Sequence, residues 1–322
     1  MLRKRSMILM CAVLAGTALA ADSPREVVYH GVDLRGRSPH PTFDRGYVFQ
    51  MDGSGGAPPT LLAAFGPDGN MEYRVSVRAP DDSIAYMKRA AADTDGTVIV
   101  SVWYGGYDGN TPIKGGGIAF FDKSGAQTRF VDTGRFIPSG LCFGPDHSVW
   151  TLGTQFGSVD KESRTDYALV RKYSVDGEQV GAYLPRSSFP VGLPPGGTGI
   201  PSWVKAASDR IGVMTTPGKT SGDPVFIELD LQGNEIGRWK VKPERTVSWA
   251  YTADGRLFAA NYVPGEPKKL WVFDKTSESW RAMASSAGSA VLLGADGNNL
   301  VYDASRAEPD HENWRLRWVS TP

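Results

Sequence analysis

A turn motif recurs along the chain, and the distance between its copies restricts the possible folds. Each copy centres on an aspartate followed by a short apolar run: Asp95, Asp146, Asp209, Asp254 and Asp296. Successive aspartates are 51, 63, 45 and 42 residues apart. Such intervals are typical of four-stranded sheets repeated around an axis rather than of helical repeats. The spacing therefore predicts a ring of sheets.

The residues after each turn favour strands over helices. Segments 97–103, 148–152, 256–260 and 299–302 are rich in β-branched and aromatic residues and are bounded by Gly, Pro or Asp. Such runs are typical of β-strands. Most copies also contain a second hairpin whose tight turn carries glycine, as at 121–125 and 173–177. We therefore predict an all-β fold built from four-stranded antiparallel blades.

One segment carries a family resemblance. Residues 138–151, Pro-Ser-Gly-Leu-Cys-Phe-Gly-Pro-Asp-His-Ser-Val-Trp-Thr, resemble the six-bladed β-propellers of the NHL-repeat and gluconolactonase (senescence-marker-protein) type. The resemblance covers residues 59–319 and implies six blades, as does the chain length divided by the mean interval. The first blade is irregular, with 47–50 before an outer hairpin of 61–65 and 71–75. Residues 27–30 are expected to pair beside 314–318, which would close the ring and remove two exposed edges.

The N-terminus predicts export. Residues 1–20 contain Arg3, Lys4 and Arg5, an apolar run, and small residues at Ala18 and Ala20, which together are typical of a secretory signal. No later segment has the roughly 20 apolar residues of a membrane helix. We therefore expect residues 21–322 to form a single propeller domain, exported to the periplasm or beyond and not inserted in a membrane.

The charge of the chain bears on its class of partner, and its cysteine content bears on disulfide formation. Removal of residues 1–20 leaves 32 Lys+Arg against 35 Asp+Glu. With no basic stripe, the sequence gives no reason to expect a nucleic-acid partner. Cys142 is the one cysteine after residue 20, so no intrachain disulfide can form, and we interpret it as a small buried hydrophobe.

Loop lengths predict the functional face. The first-to-second and third-to-fourth turns of each blade are tight, whereas the second-to-third and blade-to-blade connections on the opposite face are long. Ligand-binding residues concentrate on long loops held by a rigid scaffold. Near the channel mouth on that face, strand alignment places one lysine and four serines: Lys88, Ser139, Ser202, Ser248 and Ser289. The serines could instead bond nearby backbone at the strand starts.

Aromatic residues supply a second set of candidates. The first long loop groups Trp103, Tyr104, Tyr107 and Asp108, and Tyr262 and His311 come from later loops. Aromatic rings beside polar groups suit sugar or peptide ligands, although the rings could equally pack on one another.

The resemblance to lactonases implies an alternative, enzymatic function. Those relatives hold a divalent cation with oxygen ligands, for which Asn261 and Asp303 are the candidates in this chain, with calcium or zinc as the ion. Neither residue sits in a recognisable family motif.

The leading interpretation is a secreted, non-catalytic propeller that binds a small molecule, glycan or peptide and needs no cofactor. The alternatives are a metal-assisted hydrolase and a protein-interaction scaffold, and the oligomeric state is left open.

Overall fold

The computed structural model describes residues 24–32, 41–52, 58–106, 113–155, 166–188, 203–215, 224–241, 248–260, 269–283, 291–305 and 313–321. These residues form six four-stranded antiparallel sheets arranged as the blades of a β-propeller. The prediction of an all-β, six-bladed fold is confirmed. Two short 3-10 helices, Pro80–Asp82 and Arg186–Ser188, are also present. No helix in the described ranges is long and apolar enough to cross a membrane.

Each blade runs from an inner strand at the central channel to an outer strand at the rim. From inner to outer, blade 1 comprises β2 (Thr42–Asp44), β3 (Tyr47–Asp52), β4 (Leu61–Phe65) and β5 (Met71–Val75). Blade 2 comprises β6 (Ala85–Ala92), β7 (Val98–Gly105), β8 (Ile113–Phe121) and β9 (Gln127–Gly134). Blade 3 comprises β10 (Phe136–Phe143), β11 (Val149–Gln155), β12 (Ala168–Tyr173) and β13 (Gln179–Pro185).

The other three blades have the same order of strands. Blade 4 comprises β14 (Trp203–Ala206), β15 (Arg210–Thr215), β16 (Val225–Asp230) and β17 (Glu235–Lys240). Blade 5 comprises β18 (Ser248–Tyr251), β19 (Leu257–Ala260), β20 (Leu270–Asp274) and β21 (Ser279–Met283). Blade 6 comprises β22 (Val291–Asp296), β23 (Asn299–Asp303), β24 (Asn313–Ser320) and β1 (Arg25–His30).

The ring is closed by a strand from the N-terminal part of the chain. Strand β1 pairs antiparallel with β24, from Arg25 opposite Trp318 to His30 opposite Asn313. The predicted closure by residues 27–30 is therefore confirmed. Tyr29 is fully buried, and its hydroxyl donates to the carbonyl of Gly46 at 2.7 Å. This bond ties the closing strand to blade 1, so closure and blade-to-blade packing depend on each other.

The hydrophobic core lies between the blades. Every residue of β7 except Gly105 is buried, because neighbouring blades cover both faces of the sheet. Between blades 4 and 5, Phe226 contacts Tyr251 edge-to-face with ring centroids 5.4 Å apart. Burial on both faces explains why such strands read as continuous apolar runs without polar alternation. Cys142 belongs to this core: it is 3% exposed, and burial raises the pKa of its thiol to about 12.

Two structural features explain why glycine recurs in the tight turns of the outer hairpins. Gly233, in the turn between β16 and β17, has φ +90°, a conformation that L-residues rarely adopt. A Cβ atom built there would lie 2.0 Å from Cε1 of Tyr183, on the outer strand of the preceding blade. Gly125 has the same relation to Tyr73, at 2.6 Å from its Cγ. The recurring glycine therefore marks the point where one blade closes against the previous one.

Candidate functional site

The inner strands of the six blades enclose a cavity of about 370 Å³. It lies toward the ends at which these strands begin, which is the face of the long connections. Residues from β2, β6, β10, β14, β18 and β22 all line it. The lining that bears on ligand binding consists of Phe43, Arg89, Trp203, Lys205, Ser248, Trp249 and Trp314, together with Gly294. We call this space the upper cavity.

Bulges in three inner strands shape this cavity. Strands β6, β10 and β22 each contain one residue more than the partner strand, namely Lys88, Ser139 and Leu293. A bulge bends a strand and redirects the side chains beside it. The residues that follow the bulges, Arg89, Gly140 and Gly294, all line the upper cavity. One blade therefore contributes a guanidinium at this level, while two others contribute glycines that leave space.

The charged residues among the described lining of the upper cavity are both cations. They are Arg89 and Lys205, and no aspartate or glutamate is present in that described lining. Arg89 is exposed to the space inside the channel, yet the surrounding protein lowers its pKa by burial. Within the described residues, no carboxylate or hydrogen-bond acceptor contacts its guanidinium. The described lining of the upper cavity therefore carries a positive charge, that of Arg89, which no described carboxylate compensates.

The floor of the upper cavity is a salt bridge across the channel. Lys205 Nζ donates to Asp44 Oδ1 at 2.6 Å. The two residues belong to blades 4 and 1, which are three blades apart in a six-membered ring and so face each other. Asp44 is 8% exposed, and its other oxygen accepts from the backbone N–H of Ala92 at 3.1 Å. Lys205 lines the space on both sides of this pair, so the pair lies between the upper cavity and the tight-turn end of the channel.

Below that pair lies a second cavity of about 560 Å³, the lower cavity, whose described lining holds the pairs of Asp44 with Lys205 and of Asp93 with Arg45, and also Asp296, which accepts from Trp318 Nε1 at 3.0 Å. Arg45 donates to Asp93 Oδ1 at 2.6 Å and to the carbonyl of Phe143 at 3.1 Å. The other oxygen of Asp93 is 2.7 Å from Nδ1 of His147, and this hydrogen bond, with the charge of Asp93, raises the pKa of His147. His147 lies in a tight turn, as expected. Sequence patterns gave no signal for Arg45 or Asp93.

Three of the predicted site residues lie at or beside the upper cavity. Ser248 lines it. Ser139 is a bulge residue whose hydroxyl donates to the carbonyl of Leu152 at 3.2 Å, which is the backbone role left open as an alternative. Lys88 is exposed, immediately precedes Arg89, and has its ammonium 5.9 Å from the centroid of the Trp103 ring.

The aromatic candidates that the structure describes are buried in a strand. Trp103 and Tyr104 belong to β7 and are 8% and 6% exposed. Trp103 stacks on Tyr86 with centroids 4.4 Å apart, and burial together with a hydrogen bond to Asp132 raises the pKa of Tyr104 to about 12. The expectation that these two residues belong to a long loop is wrong, because β7 extends past both of them and pairs with β8. Their rings pack on other rings, which is the alternative that the sequence left open.

The remaining candidates fall outside the described residues and stay predictions: Tyr107, Asp108, Ser202, Asn261, Tyr262, Ser289 and His311. Arg89, which sequence reasoning missed, is adjacent to the predicted Lys88. Counting back from the turn aspartate identified Lys88, but the bulge that brings Arg89 to the cavity has no signature in a single sequence.

The described residues do not fit the divalent cation that the lactonase resemblance implies. Asp303 ends β23, the second strand of its blade, and its Oδ1 accepts from the backbone N–H of Ser305 at 2.9 Å. No group of three His, Cys, Asp or Glu side chains in the described ranges could hold a metal ion. Calcium prefers carboxylate and carbonyl oxygens, and zinc prefers His, Cys or carboxylate. The described lining of the upper cavity presents cations and indoles instead.

Comparisons with known proteins assign no family to this chain. No protein-family model matches the chain, and no curated protein matches it. Among solved structures, the chain is similar to a gluconolactonase from Xanthomonas campestris, with 14% identity over 94% of this chain and 93% of that one and a TM-score of 0.48. A luciferin-regenerating enzyme has 9% identity, coverages of 93% and 96%, and a TM-score of 0.45. An oligogalacturonate lyase in complex with manganese has 12% identity, coverages of 86% and 74%, and a TM-score of 0.44.

Proposed function

We propose that this protein is an exported binding protein that holds a small molecule in the upper cavity without converting it. The observation that carries the proposal is the cavity itself, which all six inner strands surround and below which the Lys205–Asp44 pair spans the channel. Its volume of about 370 Å³ lies within the range typical of small-molecule sites. Because this pair lies across the channel on the tight-turn side, we expect a ligand to enter from the face of the long connections.

The lining favours binding over catalysis. General acid–base or nucleophilic chemistry uses carboxylate, histidine or cysteine side chains with adjusted pKa values at the site. The described lining offers no carboxylate, histidine or cysteine, so its two aliphatic hydroxyls, those of Thr42 and Ser248, have no such base within that lining. A lactonase-type hydrolase using Asn261 and Asp303 is the alternative, and no contact in the described residues favours it.

A small molecule is the ligand class that suits an enclosed space of this kind. A glycan or peptide would extend over the mouth and depend on the long connections, whereas the upper cavity by itself surrounds a compact ligand. Enclosure removes apolar ligand surface from water, which contributes about 25 cal/mol per Å². The cavity can therefore bind a small ligand without help from the loops.

A fragment screen on a cavity-filling pair of variants tests the proposal. A Cβ atom built on Gly294 would meet nothing within 4 Å, so a large side chain there would extend into the cavity without displacing the strand. We expect fluorinated fragments to bind the wild type and Gly294→Ala in ligand-observed NMR, and to lose binding in Gly294→Phe at an unchanged melting temperature. Fragment binding that persists in Gly294→Phe, or the absence of any fragment binding to the wild type, would contradict the proposal.

A further inference from the structure

We infer that the upper cavity is an anion site that takes a small aromatic monocarboxylate, with the carboxylate on the guanidinium of Arg89. The inference rests on the proposed function and specifies the chemical class of its ligand. It follows from the charge of the cavity, from the geometry of its donor and from the composition of its walls.

The charge balance differs between the two ends of the channel. In the lower cavity, Arg45 pairs with Asp93, and Lys205 pairs with Asp44 at the boundary between the cavities. In the upper cavity Arg89 has no carboxylate partner among the described residues. Positive charge that is partly removed from water is unfavourable unless an anion or ordered water compensates it. A ligand anion would supply that compensation.

Arg89 has the geometry of a specific donor rather than of a general attractive charge. A guanidinium presents two parallel N–H groups that match the two oxygens of a carboxylate. The bulge at Lys88 fixes the strand next to it, and the adjacent Lys88 side chain adds positive potential without lining the cavity. Lys205 already donates to Asp44. Arg89 is therefore the available anion-binding group in the described lining.

The side chains that line the cavity indicate which kind of ligand skeleton it favours. Phe43 and Trp203 are half-buried and line the same space, while Trp249 and Trp314 are 8% and 3% exposed and form part of the core beside it. The aromatic surface that remains accessible favours flat apolar partners through area burial. A phosphate ester carries close to two charges and is usually bound by several cations or a cradle of backbone N–H groups. One guanidinium that has no carboxylate partner among the described residues, beside aromatic side chains, corresponds instead to a single negative charge on an apolar ring system.

A matched pair of fluorescent probes separates the charge from the shape of the ligand. The probes are 2-naphthylacetate and the neutral 2-naphthylacetamide, which have the same ring system and nearly the same size. We expect calorimetric titration of the wild type to show tighter binding of the carboxylate by roughly tenfold to a hundredfold, the range for a charged hydrogen-bonded pair.

Arg89→Gln should abolish the difference in affinity between 2-naphthylacetate and 2-naphthylacetamide, and it should leave the affinity for the amide unchanged. Arg89→Lys, which keeps the charge but not the paired N–H geometry, should give an intermediate affinity for the carboxylate. Arg281→Gln, on the exposed outer strand β21, is the control and should change neither affinity. The melting temperature of each variant establishes that it is folded.

The possible outcomes distinguish this inference from the proposed function. Equal binding of the two probes to the wild type, or carboxylate binding that survives Arg89→Gln, would overturn the anion site. The proposed function would still stand if the amide binds and Gly294→Phe abolishes that binding. If neither probe binds the wild type while fragments do, the cavity binds another ligand class and this inference is wrong.

Discussion

At Arg89, one extra residue in a strand decides which side chain reaches the channel. Strand β6 pairs regularly with β7 up to Met87 opposite Val102 and resumes with Arg89 opposite Ser101, so Lys88 is left without a partner residue. Whether a strand accommodates such an insertion depends on the length and register of its neighbour, which is non-local information. The sequence located the right segment of the chain, but it could not tell Lys88 from Arg89.

At His147 the structure makes a prediction about pH. Its hydrogen bond to Asp93 holds the pKa of His147 above the ordinary histidine value of about 6.5. A raised pKa in the folded state means that protonated His147 stabilises the fold below about pH 6.5, and that this contribution is lost as pH rises through the raised value. His147→Asn suits the left-handed backbone at φ 61° and removes the charge.

We expect His147→Asn to lower the melting temperature more at about pH 5.5 than at about pH 8.5. NMR titration of the His147 ring should give a pKa above the ordinary value in the wild type and a lower one in Asp93→Asn, the control that removes the partner carboxylate. A melting difference that does not change with pH would contradict the assignment.

At the scale of strands and turns, two glycines give a matched pair of substitutions. Gly233 and Gly134 both have positive φ, +90° and +61°, but a Cβ atom on Gly134 would meet nothing within 4 Å. Gly134→Ala should therefore lower the free energy of unfolding only by the strain of an L-residue in the left-handed backbone conformation, about 1–2 kcal/mol. Gly233→Ala should cost about 1–3 kcal/mol more, because the methyl group would overlap the Tyr183 ring. Urea unfolding of both variants measures the difference, and equal losses would show that the contact between blades contributes nothing.

Strand patterns predicted most of the blades and failed where strands are short or turns are irregular. The segments 61–65 and 71–75 of the irregular first blade are strands β4 and β5 with those bounds. The inner strand β2 was missed, since three residues are too few to show a period. In blade 6 the turn lies at Gly297–Asn298, after Asp296 rather than around it, which shifts residue counts made from that aspartate.

At the scale of the whole molecule, closure by β1 makes the ring dependent on its N-terminal strand. Deleting residues 21–32 would expose the edge of β24, where Leu316 and Trp318 are now buried. We expect this truncation to lower the melting temperature strongly and to promote self-association, because an unpaired edge strand invites pairing with another chain. A chain that starts at Arg25 is the control. Equal melting temperatures of the two chains in calorimetry would contradict the role of β1.

Export is a second prediction about the whole molecule. Cleavage after Ala20 would leave a mature protein that starts at Ala21, four residues before β1 begins at Arg25. The signal can therefore be removed without affecting closure. Mass spectrometry of the protein from the exported fraction should give the mass of residues 21–322. Retention of Met1 in that fraction would contradict the predicted signal peptide.

The fold was predictable because a regular repeat and a simple closure rule define it, whereas the site was only partly predictable. Of the predicted serine positions, Ser248 does line the upper cavity. The floor was not predictable: Asp44 and Lys205 are 161 residues apart and meet only because opposite blades face each other. Contacts across the ring leave no local pattern in the sequence.

A crystal structure with 6-bromo-2-naphthylacetate shows whether the upper cavity holds the ligand. Anomalous scattering locates the bromine atom independently of how the density is interpreted. We predict one bromine peak among Trp203, Trp249 and Trp314, with the carboxylate on Arg89. A peak in the lower cavity beneath the Lys205–Asp44 pair, or only on the outer surface of the blades, would contradict a ligand site in the upper cavity.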